Sequence, residues 1–376
     1  MEVTNKTILI LGLIFLLGDK GVKANGGSVA KKCKFSAIFN FGDSNSDTGG
    51  GSAALREIPP PNGITFFGVP SGRACDGRLL IDFIAERLGL PYVSAYLDSF
   101  NTNFRTGANF AIGGSSIVRP GYSPFPLDIQ ISQFVQFKSH TIALFKKLNG
   151  SRSVQAFKNN LPRPEDFGNA LYTFDIGQND LSYGFQHGSE TQVKKSIPSI
   201  LDKFSQAIHT LYAQGARRFW VHNTGPVGCL PYSYIYYPYK QQNLDNSGCV
   251  KPQNEVAREF NRQLKNRIFK LRTQLRGASL SYVDVYSAKY GLISRAKNIG
   301  FGDPMMFCCG NYYRYHIDCG KRAVVNGTVY GNPCRDPSKF ISWDGIHYSE
   351  RANRMVAAAI LNGTLTDPPV SIEGVC

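Results

Sequence analysis

The sequence predicts an α/β fold: one domain with long loops, built on a mostly parallel sheet with helices on both faces. Three observations lead there. Short apolar runs recur along the 376 residues and alternate with segments of helical periodicity. The composition, 42% hydrophobic and 12% aromatic against 18% charged, suits a sizeable core and excludes disordered, collagen-like and low-complexity chains. No internal repeat divides the chain.

Candidate strands are Ser36–Phe41, Asn109–Ile112, Ala170–Ile176, Arg217–Asn223 and Ser279–Tyr286. Two helices stand out between them. Val193, Ile197, Ile200, Leu201, Phe204, Ile208 and Leu211 share one face, and Val256, Phe260, Leu264, Ile268, Leu271 and Leu275 share another. Gly215 and Gly277 follow them, where a C-terminal stop belongs. Ligands of such sheets bind beyond the C-terminal ends of the strands, so chemistry is to be sought in the segments that follow each strand.

The N-terminus sets the compartment. Lys6 precedes the apolar run Ile8–Leu17, about 15 Å as a helix, too short for a hydrocarbon core of roughly 30 Å. Val22-Lys23-Ala24 then presents the small residues that a signal peptidase reads. The expected organisation is a signal peptide at 1–24, a short leader at 25–32 and one domain at 33–376. All nine cysteines lie beyond residue 24, as an oxidising compartment would use them, and an odd count leaves at least one thiol. Cys308, Cys309, His316 and Cys319 lack zinc-site spacing, so disulfides are expected and no metal. Asn149, Asn326 and Asn362 open glycosylation sequons. The net charge of +15 and a pI near 9.4 suit an acidic polysaccharide or an anionic surface, and secretion argues against nucleic acid. No integral membrane segment is expected.

The first candidate strand runs into Gly42-Asp43-Ser44-Asn45-Ser46-Asp47-Thr48-Gly49, the third into Gly177-Gln178-Asn179-Asp180. Near the C-terminus stands Trp343-Asp344-Gly345-Ile346-His347, before a helix that Ser349 caps. Ser44, His347 and Asp344 supply a nucleophile, a base and an orienting carboxylate. A serine hydroxyl is weak until an imidazole takes its proton, and a carboxylate fixes that imidazole's tautomer. Asp and His three residues apart reach each other from one turn, and no other histidine stands in an Asp-x-x-His arrangement. Gly-x-Ser-x-Gly is absent, so the nucleophile is not on an α/β-hydrolase elbow.

Four segments, Phe39–Gly49, Gly107–Gly114, Ile176–Asp180 and Asp344–His347, together resemble the motifs of the plant GDSL esterase/lipases, or SGNH hydrolases, near the early-nodulin ENOD8-like group. They stand in that family's order and span nearly all of the expected domain. The resemblance implies a flavodoxin-like three-layer α/β/α sandwich with a five-stranded sheet. It implies a carboxylic ester hydrolase without cofactor, working through an acyl-enzyme on Ser44, with His347 as base and Asp344 as its partner. The oxyanion hole would be the N–H groups of Ser44 and Gly114, with Gly113 a close rival, and the Asn179 amide. The family's leucine after Gly-Asp-Ser is Asn45 here, which bears more on substrate than on catalysis. Expected substrates are short-chain acyl or acetyl esters of carbohydrates or glycosides, or lipids, met by a monomer in the cell wall or vacuole. An acyltransferase with the same serine, or a glycosidase such as a fucosidase, is the alternative.

Two further segments are open. Between Cys229 and Cys249, five tyrosines from Tyr232 to Tyr239 form a sugar platform, an acyl wall or a loop packed on itself. Arg73 and Arg78 meet an anionic group or solvent.

Overall fold

The computed structural model describes residues 32–100, 102–147, 158–238 and 242–376. The expected signal peptide, most of the leader, Asn149 and Tyr239 lie outside them. Strands β1 (Ile38–Gly42), β2 (Gly107–Asn109), β3 (Leu171–Asp175), β4 (Arg218–His222) and β5 (Ser279–Val283) form a parallel sheet in the order β2-β1-β3-β4-β5. A small antiparallel hairpin follows, β6 (Ala323–Val325) and β7 (Thr328–Tyr330), with Asn326 exposed at its tip.

The sheet has one strand more than the five expected. Strand β8 (Thr366–Asp367) adds antiparallel to β5 at the edge. It is two residues long and polar, so no apolar run announces it. The second strand lies at Gly107–Asn109 rather than Asn109–Ile112, although the Phe110 and Ile112 N–H groups still reach the Asn40 and Gly42 carbonyls. The fifth ends at Val283 rather than Tyr286, because the Asp284 carboxylate accepts the Ser287 N–H and caps the helix Val285–Ser294.

The five parallel strands are buried almost throughout, as a sheet covered on both faces must be. One helical layer contains Leu127–Lys147, Glu190–Ala213 and Lys251–Gln274, the last two carrying the apolar faces read from the sequence. Gly215 and Gly277 follow them at positive φ. The other layer contains Leu80–Arg87, Val285–Ser294 and Glu350–Leu361, the last capped by Ser349. Between the first layer and the sheet, Phe39 stacks on Phe167 and meets Phe134 edge-on, while Phe41 stacks on Phe110 and Phe174. Such pairs contribute roughly 0.5–1.5 kcal/mol each beyond the area they bury.

Four disulfides join Cys33–Cys376, Cys229–Cys249, Cys308–Cys334 and Cys309–Cys319; Cys75 is a buried thiol. Arg73 is buried in a bidentate ion pair with Asp82, and Arg78 bonds Glu350 and Glu86. Neither is the solvated or anion-binding surface considered for it.

Candidate active site

The strand order decides what meets. The chain leaves β1 for β2 on one side and returns to β3 on the other, so the segments after these three neighbouring strands share one edge. Ser44 follows β1, Gly114 follows β2 and Asn179 follows β3. A buried amide network fixes them beneath: Asn40 donates to Asn109, Asn109 to the Ser46 carbonyl and Thr48, and Thr173 to Asn40. Gly42 has no room for a side chain, since a Cβ there would meet Ser46 Oγ at 2.4 Å and the Asp175 carbonyl at 2.6 Å.

Asp344 and His347 come from the turn before the last long helix. Asp344 Oδ1 accepts the N–H groups of Ile346 and His347 at 3.0 and 2.8 Å, and Gly345 takes φ 91° to close that turn. The other oxygen, Oδ2, lies 2.6 Å from His347 Nδ1, and His347 Nε2 lies 2.8 Å from Ser44 Oγ. A carboxylate only accepts, so Nδ1 carries the proton and Nε2 is left to accept from the serine. Burial pulls the imidazolium down, but the Asp344 charge and hydrogen bond outweigh it and hold His347 above its usual range.

Beside Ser44, Gly113 donates to Asp47 Oδ2 at 2.8 Å. Among the described residues the N–H groups of Ser44 and Gly114 meet no acceptor. Asn179 uses one amide hydrogen on the Ser115 carbonyl at 2.9 Å and keeps the second. Its neighbour Asp180 binds the Ile117 and Val118 N–H groups, tying the start of the helix Gln178–His187 to the segment after β2, and burial pushes that carboxyl up to about 7. Ser44, Asp47, Gly113, Gly114, Asn179, Asp344 and His347 all line a cavity of about 1030 Å³.

The family model for a GDSL-like lipase/acylhydrolase matches residues 38–360, most of the chain and every segment just described. The chain belongs to the GDSL esterase/lipase family. It is a carboxylic ester hydrolase. A GDSL esterase/lipase of Arabidopsis thaliana is 54% identical over 93% of this chain and 91% of its own. The GDSL esterase/lipase ENOD8 of Medicago truncatula is 43% identical over 92% and 91%, and Alpha-L-fucosidase 3 of Arabidopsis thaliana 47% identical over 89% and 92%.

In this GDSL esterase/lipase the site also rests on a buried charge cluster that sequence reasoning did not find. Asp175 at the end of β3 meets His222 at the end of β4 at 3.1 Å. Burial would raise the Asp175 carboxyl, but His222 and the Lys289 ammonium hold it below the usual range. Asp43, next to Ser44, is pushed up to about 7 by burial and the Asp175 charge, against two hydrogen bonds from Asn45. Burial holds Lys289 below its usual range, while Asp175 and Asp43 oppose that. Among the described residues, Cys308, Cys309 and Cys319 are all in disulfides rather than a metal site.

Proposed function

We propose that this chain is a secreted serine esterase that hydrolyses carboxylic esters through an acyl-enzyme on Ser44. The observation that carries the reading is the unbroken chain Asp344–His347–Ser44, opening on a cavity beside uncommitted N–H donors. His347 Nε2 takes the Ser44 proton as Oγ attacks the carbonyl carbon. The carbonyl oxygen becomes an anion and meets the N–H groups of Ser44 and Gly114 and the free hydrogen of the Asn179 amide. Gly114 is preferred to Gly113 because Gly113 already donates to Asp47. The ester C–O bond then breaks, and the departing alcohol oxygen takes the proton from His347. Water repeats the sequence to release the acid, and Ser44 regains its proton.

Residues 1–24 act as the signal peptide and 33–376 as one hydrolase domain. Four disulfides and the exposed sequons Asn326 and Asn362 support export to the cell wall or vacuole. No helix among the described residues is long and apolar enough to cross a membrane. The substrates are short-chain acyl or acetyl esters of carbohydrates or glycosides, and the protein works as a monomer. A fucosidase reading, suggested by the relative of that name, needs two carboxylates flanking the glycosidic bond. Asp344 is engaged by His347 and Asp47 by four backbone N–H groups, which favours the esterase.

The test pairs wild type with Ser44→Ala on p-nitrophenyl acetate, butyrate and palmitate. Turnover should fall by about three orders of magnitude or more, and Asn179→Ala should lower kcat by roughly 10²–10³. Unchanged activity in Ser44→Ala would sink the acyl-enzyme. An inactive wild type that esterifies an added alcohol acceptor from an activated ester would make the protein an acyltransferase.

A further inference from the structure

The Asp344–His347 turn is built into an aromatic cluster that lines the cavity. Tyr232 donates its N–H to the Gly345 carbonyl at 2.9 Å, and a Cβ on Gly345 would lie 3.1 Å from the Tyr312 ring. Around these two rings stand Tyr236, whose centroid is 4.5 Å from that of Tyr232, and His316, 5.0 Å from Tyr312. The rim of the cluster is polar. Tyr236 Oη lies 2.8 Å from His316 Nδ1, and Asp318 lies 3.4 Å from both His316 Nε2 and the Tyr312 hydroxyl. Beside Gly114 and along the helix that carries Asn179, the cavity is lined by Tyr122, Ser182, Phe185 and Gln186.

We propose that Tyr232, Tyr236, Tyr312 and His316 form the subsite for the alcohol portion of the ester, and that this alcohol is a carbohydrate. The assignment of side rests on the serine-esterase reading above. The departing oxygen must lie within reach of His347 Nε2, while the carbonyl oxygen faces the Gly114 and Asn179 donors. The alcohol therefore lies against the wall that His347 belongs to, and the acyl chain points toward Tyr122 and Phe185. The carbohydrate class follows from the chemistry of that wall. A sugar ring has C–H faces that pack on aromatic rings and hydroxyl edges that exchange hydrogen bonds with tyrosine, imidazole and carboxylate. An alkyl alcohol would strip water from the same polar rim and return no hydrogen bonds.

The cluster is also held ready. Cys229 stands just before the short helix Pro231–Tyr236 and is bridged to Cys249; the Cys309–Cys319 bridge closes the loop that carries Tyr312 and His316. Rings that are already fixed lose little freedom on binding, which favours affinity. Tyr236 and the His316 side chain are about half exposed, so a ligand reaches them from solvent.

The experiment uses two ester series on the full mature protein. One holds the acetyl group constant and varies the alcohol, from ethyl acetate to acetylated xylo-oligosaccharide. The other holds p-nitrophenol constant and lengthens the acyl chain from acetate to octanoate. In Tyr236→Phe and His316→Ala, kcat/KM on the acetylated oligosaccharide should fall about tenfold relative to ethyl acetate, mainly through KM, with the order of acyl preference kept. Phe185→Ala should do the reverse, shifting the acyl preference and keeping the alcohol ratio. Thermal midpoints near wild type establish that the variants fold. An altered acyl order in the tyrosine and histidine variants would make the cluster an acyl wall and overturn the proposal. No change in either series overturns it as well. Serine-independent turnover on p-nitrophenyl acetate would instead remove the esterase reading itself.

Discussion

The Gly113 N–H donates to Asp47 Oδ2 at 2.8 Å, so a side chain from the segment after β1 holds the segment after β2. The same carboxylate accepts the N–H groups of Gly49, Gly50 and Gly51 at 2.8, 2.6 and 2.9 Å. Four backbone donors thus converge on one carboxylate, next to the proposed oxyanion hole. Asp47→Asn keeps one acceptor oxygen and turns an N–H donor toward other donors. It should destabilise the fold by about 1–3 kcal/mol and lower kcat as the Gly113–Gly114 segment loosens. Urea unfolding and kcat on p-nitrophenyl acetate measure both; a wild-type unfolding midpoint would show that the carboxylate does not hold this segment.

The two neighbouring glycines should respond differently to alanine. Gly114 has φ 79°, a conformation that L side chains rarely adopt, and a Cβ there would lie 3.2 Å from Tyr122 Cβ. At Gly113 φ is ordinary, and the nearest atoms to a Cβ are Asp47 Oδ2 at 3.7 Å and Ser44 Cβ at 3.8 Å. Gly114→Ala should therefore lose most of its kcat, whereas Gly113→Ala should unfold at the wild-type temperature. Circular dichroism melts with initial rates separate the cases. Equal losses in both would withdraw the assignment of Gly114 over its neighbour.

How much of this was legible in the sequence follows from how local each feature is. Asp344 and His347 meet within one turn, so three-residue spacing shows the pair. Ser44, Gly114 and Asn179 each follow a strand, and the rule that chemistry sits beyond strand ends puts them on one edge. The cluster of Asp43, Asp175, His222 and Lys289 was not legible, because its members come from the segment just after β1, from β3, from β4 and from the helix after β5, and meet only through strand order. Lys289 stands among Val285, Tyr286, Leu292 and Ile293, with nothing to mark a buried ammonium. The sixth strand was missed because two polar residues at an edge carry no periodicity.

That cluster should be visible in the pH dependence of turnover. Protonated His347 cannot accept the Ser44 proton, so activity should appear as pH rises through the His347 pKa, which lies above the usual imidazole value. The Asp344 and Asp43 charges raise that pKa and the Lys289 charge lowers it. Lys289→Met should move the acid limb of kcat/KM upward, and Asp43→Asn should move it downward. A pH profile of kcat/KM on p-nitrophenyl butyrate reads both, and shifts in the same direction would contradict the electrostatic account.

Asp43 also makes a prediction for stability. Its folded pKa, about 7, lies above the ordinary carboxylate value of 3.8, so the folded state binds the proton more tightly than the unfolded state. That contribution is fully present below about pH 4 and is lost as pH rises through about 7. Asp43→Asn stays neutral, keeps an oxygen for the Asn45 hydrogen bonds and replaces Oδ2, a buried atom without a partner. The thermal midpoint of the variant should gain on wild type as pH rises from 5 to 8. A difference that stays flat over this range would mean that Asp43 keeps an ordinary pKa in the fold.

The thiol count offers the most direct check on the covalent framework. Cys75 is fully buried and lies against the Gly77 N–H and the Asn353 amide. Burial, with the Asp76 charge, holds its pKa well above that of a free thiol. Disulfide reagents react with the thiolate, so both access and ionisation protect Cys75 in the native protein. Ellman's reagent should therefore find no thiol at pH 8 in native buffer. In guanidinium without reductant it should find one, since the eight other cysteines are bridged. After reduction it should find all nine. More than one thiol in the denatured, unreduced protein would show that one of the four bridges does not form, and the first to examine would be Cys309–Cys319, which anchors the loop of Tyr312 and His316.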